Sequence, residues 1–225
     1  LRYVIPSEID FTADLAIEKP DMVKITLNGQ AVKSAPNGYF ADRYIGRIPL
    51  PALHKGENIL EVICPLGSRT AVECAYLLGN FGVRVIGREK TVTALPETLC
   101  FDDLRIQGLP FYGANVTYHC DIETKEDGTL SLHAPVYRGA LLSVALDGKE
   151  IGNLVFSPYT MKIPNVSAGK HRLDITLYGT RFNCFGELHF HHHMNFSWYG
   201  PTAYRSTGDE WYYEYETKPM GLLRT

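Results

Sequence analysis

Leu142-Ser143-Val144-Ala145-Leu146 running into Asp147-Gly148 decides the fold, because the chain carries the same pattern twice. The earlier copy is Val23-Lys24-Ile25-Thr26-Leu27 running into Asn28-Gly29. Each copy continues in the same order. Ile48-Pro49, the turn Lys55-Gly56-Glu57-Asn58 and the run Ile59 to Ile63 follow the first. Ile163-Pro164, Ala168-Gly169-Lys170-His171 and the run Leu173 to Leu177 follow the second. Alternating apolar residues closed by Asn-Gly or Asp-Gly predict a tight hairpin, and an Ile-Pro step predicts a strand edge. Two copies predict two similar β-domains in tandem.

Outward from these stretches the period stays at two. Phe11 to Ile17, Val116 to Ile122 and Thr129 to His133 alternate as well, with Asn37-Gly38 and Asp127-Gly128 among the turns between runs. No window sustains an amphipathic helix, and only Pro51 to His54 is expected to make a helical turn. Short strands with Gly and Pro turns predict an all-β chain of two tandem antiparallel β-sandwiches. A connector at Ala94-Leu95-Pro96-Glu97 sets the division at 1–95 and 96–225. The first residues, Leu1-Arg2-Tyr3-Val4, are already strand-like, so the chain reads as a piece of a longer protein whose first domain is shortened.

Composition excludes several classes of function. A formal net charge of −3 without a basic stripe gives a nucleic-acid backbone no electrostatic support. No apolar stretch approaches the roughly 20 residues of a membrane helix, so no membrane partner is expected. The five cysteines, Cys64, Cys74, Cys100, Cys120 and Cys184, include no CxxC pair and read as reduced, buried small hydrophobes. No Gly-rich phosphate loop opens a helix and no G-x-S-x-G elbow occurs, so no cofactor is expected.

Three clusters bear chemistry. Glu214 and Glu216, in Trp211-Tyr212-Tyr213-Glu214-Tyr215-Glu216, would share one face of a strand beside Asp209 and Glu210, as paired carboxylates for glycoside hydrolysis would require. They are read instead as a solvated strand face whose tyrosines pack on the core from the other side, and no catalytic residue is assigned. His189, His191 and His193 would project to one side of a strand and could ligate a metal, but the run is read as structural, with no metal site assigned. Exposed rings and planar polar groups suited to a sugar cluster in loops. They are Tyr39, Phe40, Asp42 and Arg43; Phe111, Tyr112, Tyr137 and Arg138; and Trp198, Tyr199, Tyr204, Arg205 and Trp211. Of these, Tyr112, Arg138, Trp198, Tyr199, Tyr204, Arg205 and Trp211 are the carbohydrate-binding candidates.

Gln107-Gly108-Leu109-Pro110-Phe111-Tyr112-Gly113 with Val116-Thr117-Tyr118 resembles the entry strand of galactose-binding-domain-like jelly rolls. Leu177-Tyr178-Gly179-Thr180-Arg181-Phe182-Asn183, Gly186-Glu187-Leu188-His189 and the tail from Trp198 to Leu223 extend the likeness over nearly all of 96–225. It covers 20–86 more loosely. Such modules accompany large bacterial glycoside hydrolases of the β-galactosidase and α-L-rhamnosidase kind. The resemblance implies a non-catalytic accessory region whose partners are a carbohydrate and a catalytic domain of the same parent chain. Two alternatives stay open: a sandwich that itself hydrolyses glycans through Glu214, Glu216 or Asp209, and a purely structural interaction module.

Overall fold

The computed structural model describes residues 1–67, 74–186, 188–189 and 211–223. The chain is all-β, with several antiparallel sheets, and forms two compact units, Leu1–Leu95 and Pro96–Thr225. The first contains β1 (Arg2–Ser7), β2 (Asp14–Glu18), β3 (Lys24–Leu27), β4 (Gln30–Val32) and β5 (Tyr39–Phe40). It continues through β6 (Asp42–Pro49), β7 (Gly56–Ile63), β8 (Tyr76–Leu78), β9 (Gly82–Ile86) and β10 (Glu89–Thr93). Two sheets result, ordered β4-β3-β7-β1-β10-β9 and β5-β6-β2-β8. Every pairing is antiparallel except a short parallel contact of β1 with β10 at Ser7 and Val92.

The second unit contains β11 (Val116–Thr124), β12 (Gly128–His133), β13 (Tyr137–Arg138), β14 (Leu141–Leu146) and β15 (Lys149–Leu154). β16 (Thr160–Val166), β17 (Gly169–Tyr178) and β18 (Gly221–Leu222) complete it. Its main sheet runs β11-β17-β14-β15, and β12-β16 and β13-β18 form separate pairs. The order β15-β14-β17-β11 matches β4-β3-β7-β1 of the first unit strand for strand. The Ile-Pro steps match too. Leu15 pairs with Ile48 and Leu130 with Ile163, and both isoleucines are buried. The repeated sequence thus builds a repeated strand order.

The alternation explains the cores. Leu60 and Val62 point inward from β7, as do Leu173, Ile175 and Leu177 from β17 and Leu142 and Val144 from β14. Burying each such side chain contributes about 1.5–3 kcal/mol. The two-residue hairpin loops are also alike. Asn28 and Gly29 have φ of 51° and 78°, and Asp147 and Gly148 have 50° and 78°. Two successive positive φ values define the type I′ turn, which accounts for the Asn-Gly and Asp-Gly pairs.

Each hairpin is tied to the long strand beside it by its first turn residue. Asn28 Oδ1 accepts from the Ile59 N–H at 2.8 Å, while the Asn28 N–H donates to the Ile59 carbonyl at 2.8 Å. Asp147 Oδ1 accepts from the Arg172 N–H at 2.8 Å, and the Asp147 N–H donates to the Arg172 carbonyl at 2.8 Å.

Three expectations are corrected. Pro51–His54 is not helical: Leu53, 1% exposed, exchanges two backbone hydrogen bonds with Phe11, and an extended bridge replaces the turn. Gln107–Gly113 is not a strand. A 3-10 turn over Leu104–Gln107, capped by Asp103, ends at Gly108 with φ of 86°, and the strand begins only at Val116. The cysteines are not uniformly buried, since Cys74 and Cys100 are exposed and Cys64, Cys120 and Cys184 are half-buried; none of the five forms a disulfide. No helix among the described residues is long and apolar enough to cross a membrane.

Candidate functional site

The aromatic candidates that come together lie in the second unit, where the end of the chain folds back on the segments flanking β11 and β17. The tail is held by polar contacts. Asn183, 4% exposed, sits in the single helical turn Phe182–Phe185 (α1) and pairs with the backbone of Lys218. Its Nδ2 donates to the Lys218 carbonyl and its Oδ1 accepts from the Lys218 N–H, both at 2.9 Å. The Lys218 ammonium stands 4.0 Å from the centre of the Phe182 ring, a favourable cation–π arrangement. Arg105 donates from Nη1 to the Thr217 carbonyl, and the Leu104 N–H donates to the Met220 carbonyl at 2.7 Å.

Tethered in this way, Trp211 to Glu216 wraps around His189. The Tyr212 N–H donates to the His189 carbonyl and the Glu216 N–H to the Leu188 carbonyl, each at 2.7 Å. His189 Nδ1 donates to the Glu214 carbonyl at 3.1 Å. Around that imidazole the rings form a continuous chain. Phe111 meets Tyr215 edge-on at 5.1 Å, and Tyr215 meets His189 at 4.4 Å. His189 meets Trp211 at 5.8 Å, and Trp211 meets Tyr213 edge-on at 4.3 Å. Phe111, Tyr215, His189 and Trp211 are half-buried and Tyr213 is 64% exposed, so the chain of rings ends at the surface.

The close approach of the loop before β11 to α1 fixes Phe111. Cys184 Sγ donates to the Phe111 carbonyl at 3.0 Å, and burial pushes that thiol's pKa up. A Cβ on Gly113 would lie 2.8 Å from Cys184 Sγ and 2.9 Å from the Thr180 carbonyl oxygen. Only glycine fits between them.

The sequence candidates divide accordingly. Trp211 belongs to the ring chain. Tyr112 follows Phe111 but stands at the surface with its hydroxyl on the Asn115 carbonyl, 3.0 Å away. Arg138 lies on β13, where its guanidinium donates to the Tyr137 carbonyl, and no described contact joins it to the rings. Trp198, Tyr199, Tyr204, Arg205, Asp209, Glu210, His191 and His193 lie outside the described residues.

The strand expected over Trp211–Glu216 is corrected. Residues 212–220 are not in a strand: the Tyr212 and Glu216 N–H groups bond to His189 and Leu188, and the backbone of Thr217, Lys218 and Met220 is held by Arg105, Asn183 and Leu104. Glu214 and Glu216 therefore do not share a strand face. His189 lies in a turn and serves as the hub of the rings. Among the described residues no group of three His, Cys, Asp or Glu side chains could hold a metal ion.

Sequence reasoning placed Phe111 among the loop aromatics but missed Tyr213 and Tyr215, and did not join the three in one surface. They are linked through His189, which touches Tyr215 and Trp211 and whose position follows from hydrogen bonds to the tail, not from periodicity.

No protein-family model matches the chain. No curated protein matches it either. Among solved structures it is similar to a rhamnosidase. That protein is described as the "Structure of Rhamnosidase from Novosphingobium sp. PP1Y", with 16% identity and a TM-score of 0.35, covering 99% of this chain and 22% of that one. The chain thus spans about a fifth of the rhamnosidase's length. At that score the likeness establishes neither the arrangement of the strands nor an activity.

Proposed function

We infer that the chain is a non-catalytic, carbohydrate-binding region of a bacterial glycoside hydrolase, built as two tandem galactose-binding-domain-like jelly-roll sandwiches. Its partners are a glycan and a catalytic domain of the same parent chain. The observation that carries the reading is the ring chain Phe111–Tyr215–His189–Trp211–Tyr213, anchored by Asn183 and Lys218 and reaching the surface at Tyr213. Rings packed on one another, two of the four contacts edge to face, present rigid apolar area at low entropic cost, which suits the C–H faces of a pyranose. Support also comes from the residues that resemble such modules, Gly113 and Gly179 among them, which sit at close approaches that exclude a side chain.

The test is titration of the protein with oligosaccharides of differing composition. A saturable affinity is expected, and Trp211→Ala should weaken it. An aromatic contact is worth about 0.5–1.5 kcal/mol beyond its area, which corresponds to roughly a twofold to twelvefold rise in Kd. No saturable binding to any glycan, together with tight association to a catalytic domain, would leave the structural-module reading. Hydrolysis of aryl glycosides by the isolated chain, lost in Glu214→Gln, would establish the catalytic reading instead.

A further inference from the structure

We propose that His171 is a protonation-controlled clamp joining the β14–β15 hairpin to the turn before β17, a device that the first unit lacks. The clamp belongs to the repeated hairpin joint and is independent of any glycan. Two residues before the inward-facing Leu60 and Leu173, each unit points a polar side chain into the same end of its core. In the first unit this residue is Asn58, and in the second it is His171.

Two contacts correspond between the joints; a third, from the His54 N–H to Asn58 Oδ1 at 3.0 Å, belongs to the first joint. Asn58 Nδ2 donates to the carbonyl four residues earlier, that of His54, at 2.7 Å. His171 Nε2 faces the carbonyl four residues earlier, that of Ser167, at 2.8 Å. Asn58 Oδ1 accepts from Asn28 Nδ2 in the first hairpin turn at 3.0 Å. His171 Nδ1 faces Asp147 Oδ2 in the second hairpin turn at 2.7 Å. The same joint is therefore built once from two uncharged amides and once from a carboxylate and an imidazole.

The chemistry of the two joints differs in one respect. Both ring nitrogens of His171 face acceptors that have no proton to give, the carboxylate of Asp147 and the carbonyl of Ser167. A neutral imidazole carries one N–H and satisfies one of them; only the imidazolium satisfies both. The His171 side chain is 9% exposed, so water replaces the missing donor poorly. Hydrogen bonding to Asp147, then to the Ser167 carbonyl, raises the imidazole above its ordinary 6.5. Hydrogen bonds from His171 and from the Arg172 N–H hold the Asp147 carboxyl below its ordinary 3.8.

Other charged groups lie outside this joint. Across on β11 the residue opposite His171 is Ile122; Asp121 and Glu123 beside it are exposed, as are Lys170 and Arg172 on β17. Asp127, at the β11–β12 turn, accepts from the Ala168 N–H at 2.7 Å. Lys149 opens β15 at the surface.

The sign follows from the direction of each shift. The histidine's contribution is complete below pH 6.5 and is lost as pH rises through its raised folded value. The aspartate's contribution is complete above pH 3.8 and is lost as pH falls through its lowered folded value. Between these limits the clamp is closed; on the alkaline side it releases the hairpin tip and the Ser167 turn, while the Asn28–Asn58 joint is unaffected.

Hydrogen exchange on the full chain, corrected for intrinsic rates and compared at about pH 5.5 and about pH 8.5, tests this. In the native protein, protection at residues 146–149 and 167–172 should fall at least about threefold on going to the higher pH, with no matching change at 27–30 and 54–59. His171→Asn, and the double variant Asp147→Asn/His171→Asn that reproduces the first joint, should abolish the difference. An equal fall in His171→Asn, or none in the native protein, would overturn the clamp. Should the variants fail to fold, a nitrogen-15 titration of the native imidazole decides. A midpoint above 6.5 with both nitrogens protonated below it supports the proposal, and one at or below 6.5 ends it.

Discussion

Gly179→Ala should destabilise the second unit by about 3 kcal/mol or more, at the upper end of overpacking costs. Gly179 follows β17 immediately. A Cβ there would lie 2.3 Å from the Ala114 carbonyl oxygen, 3.0 Å from the Ala114 carbonyl carbon and 2.7 Å from Met220 Cε. The methionine could swing aside; the carbonyl belongs to the lead-in of β11 and cannot move without displacing the strand that pairs with β17 along nine residue positions. The neighbouring Asn115 also binds the Gly179 N–H through its side chain at 3.3 Å, so the two segments are held together as well as close.

Gly148→Ala is the control that separates space from backbone conformation. Nothing lies within 4 Å of its Cβ, yet φ is +78°; the left-handed backbone alone should cost about 1–2 kcal/mol. The readout is specific to one unit, because both tryptophans, Trp198 and Trp211, belong to the second. Denaturant unfolding followed by their fluorescence should rank Gly179→Ala well below Gly148→Ala. Equal midpoints would show that β11 can yield at Ala114.

Asn58→Ala should have a comparable effect on the first unit, about 2–4 kcal/mol, for the opposite reason: it empties a position that must be polar. Asn58 is 0% exposed, yet every hydrogen-bonding atom of its amide that faces a partner is used. Its Oδ1 accepts from the His54 N–H and from Asn28 Nδ2, each at 3.0 Å, and its Nδ2 donates to the His54 carbonyl. Truncation leaves three groups without this partner, each unpaired buried group costing about 1–3 kcal/mol. Circular dichroism during denaturant unfolding should show an earlier first-unit transition, while tryptophan fluorescence remains unchanged. An unshifted transition would mean that water replaces the amide.

These two positions show what the sequence makes legible. Leu60, Val62, Leu173, Ile175 and Leu177 were readable as inward residues because a strand's faces alternate with period two. The hairpins were readable because few residue pairs accept two positive φ values in succession. Asn58 and His171 break that alternation by placing a polar group on an inward face, and only the matching copies mark the position as equivalent. The tail resisted reading for a different reason. Trp211 to Glu216 alternates like a strand, yet its backbone bonds to Leu188 and His189, a choice made by tertiary contacts that no local pattern encodes. For the same reason the expected pairing of Glu214 with Glu216 does not arise, while Trp211 joins rings more than twenty positions away in the chain.

Cys184 has a practical consequence. Its sulfur is held on the Phe111 carbonyl, lies against Gly113 and titrates above the ordinary thiol range, so little of it is thiolate near neutrality. Cys100, in the same unit, is at the surface. An electrophile such as a maleimide should therefore alkylate Cys100 rapidly and Cys184 only when α1 parts from the loop ahead of β11. The ratio of the two labelling rates, read by peptide mass, would time that separation without any introduced probe.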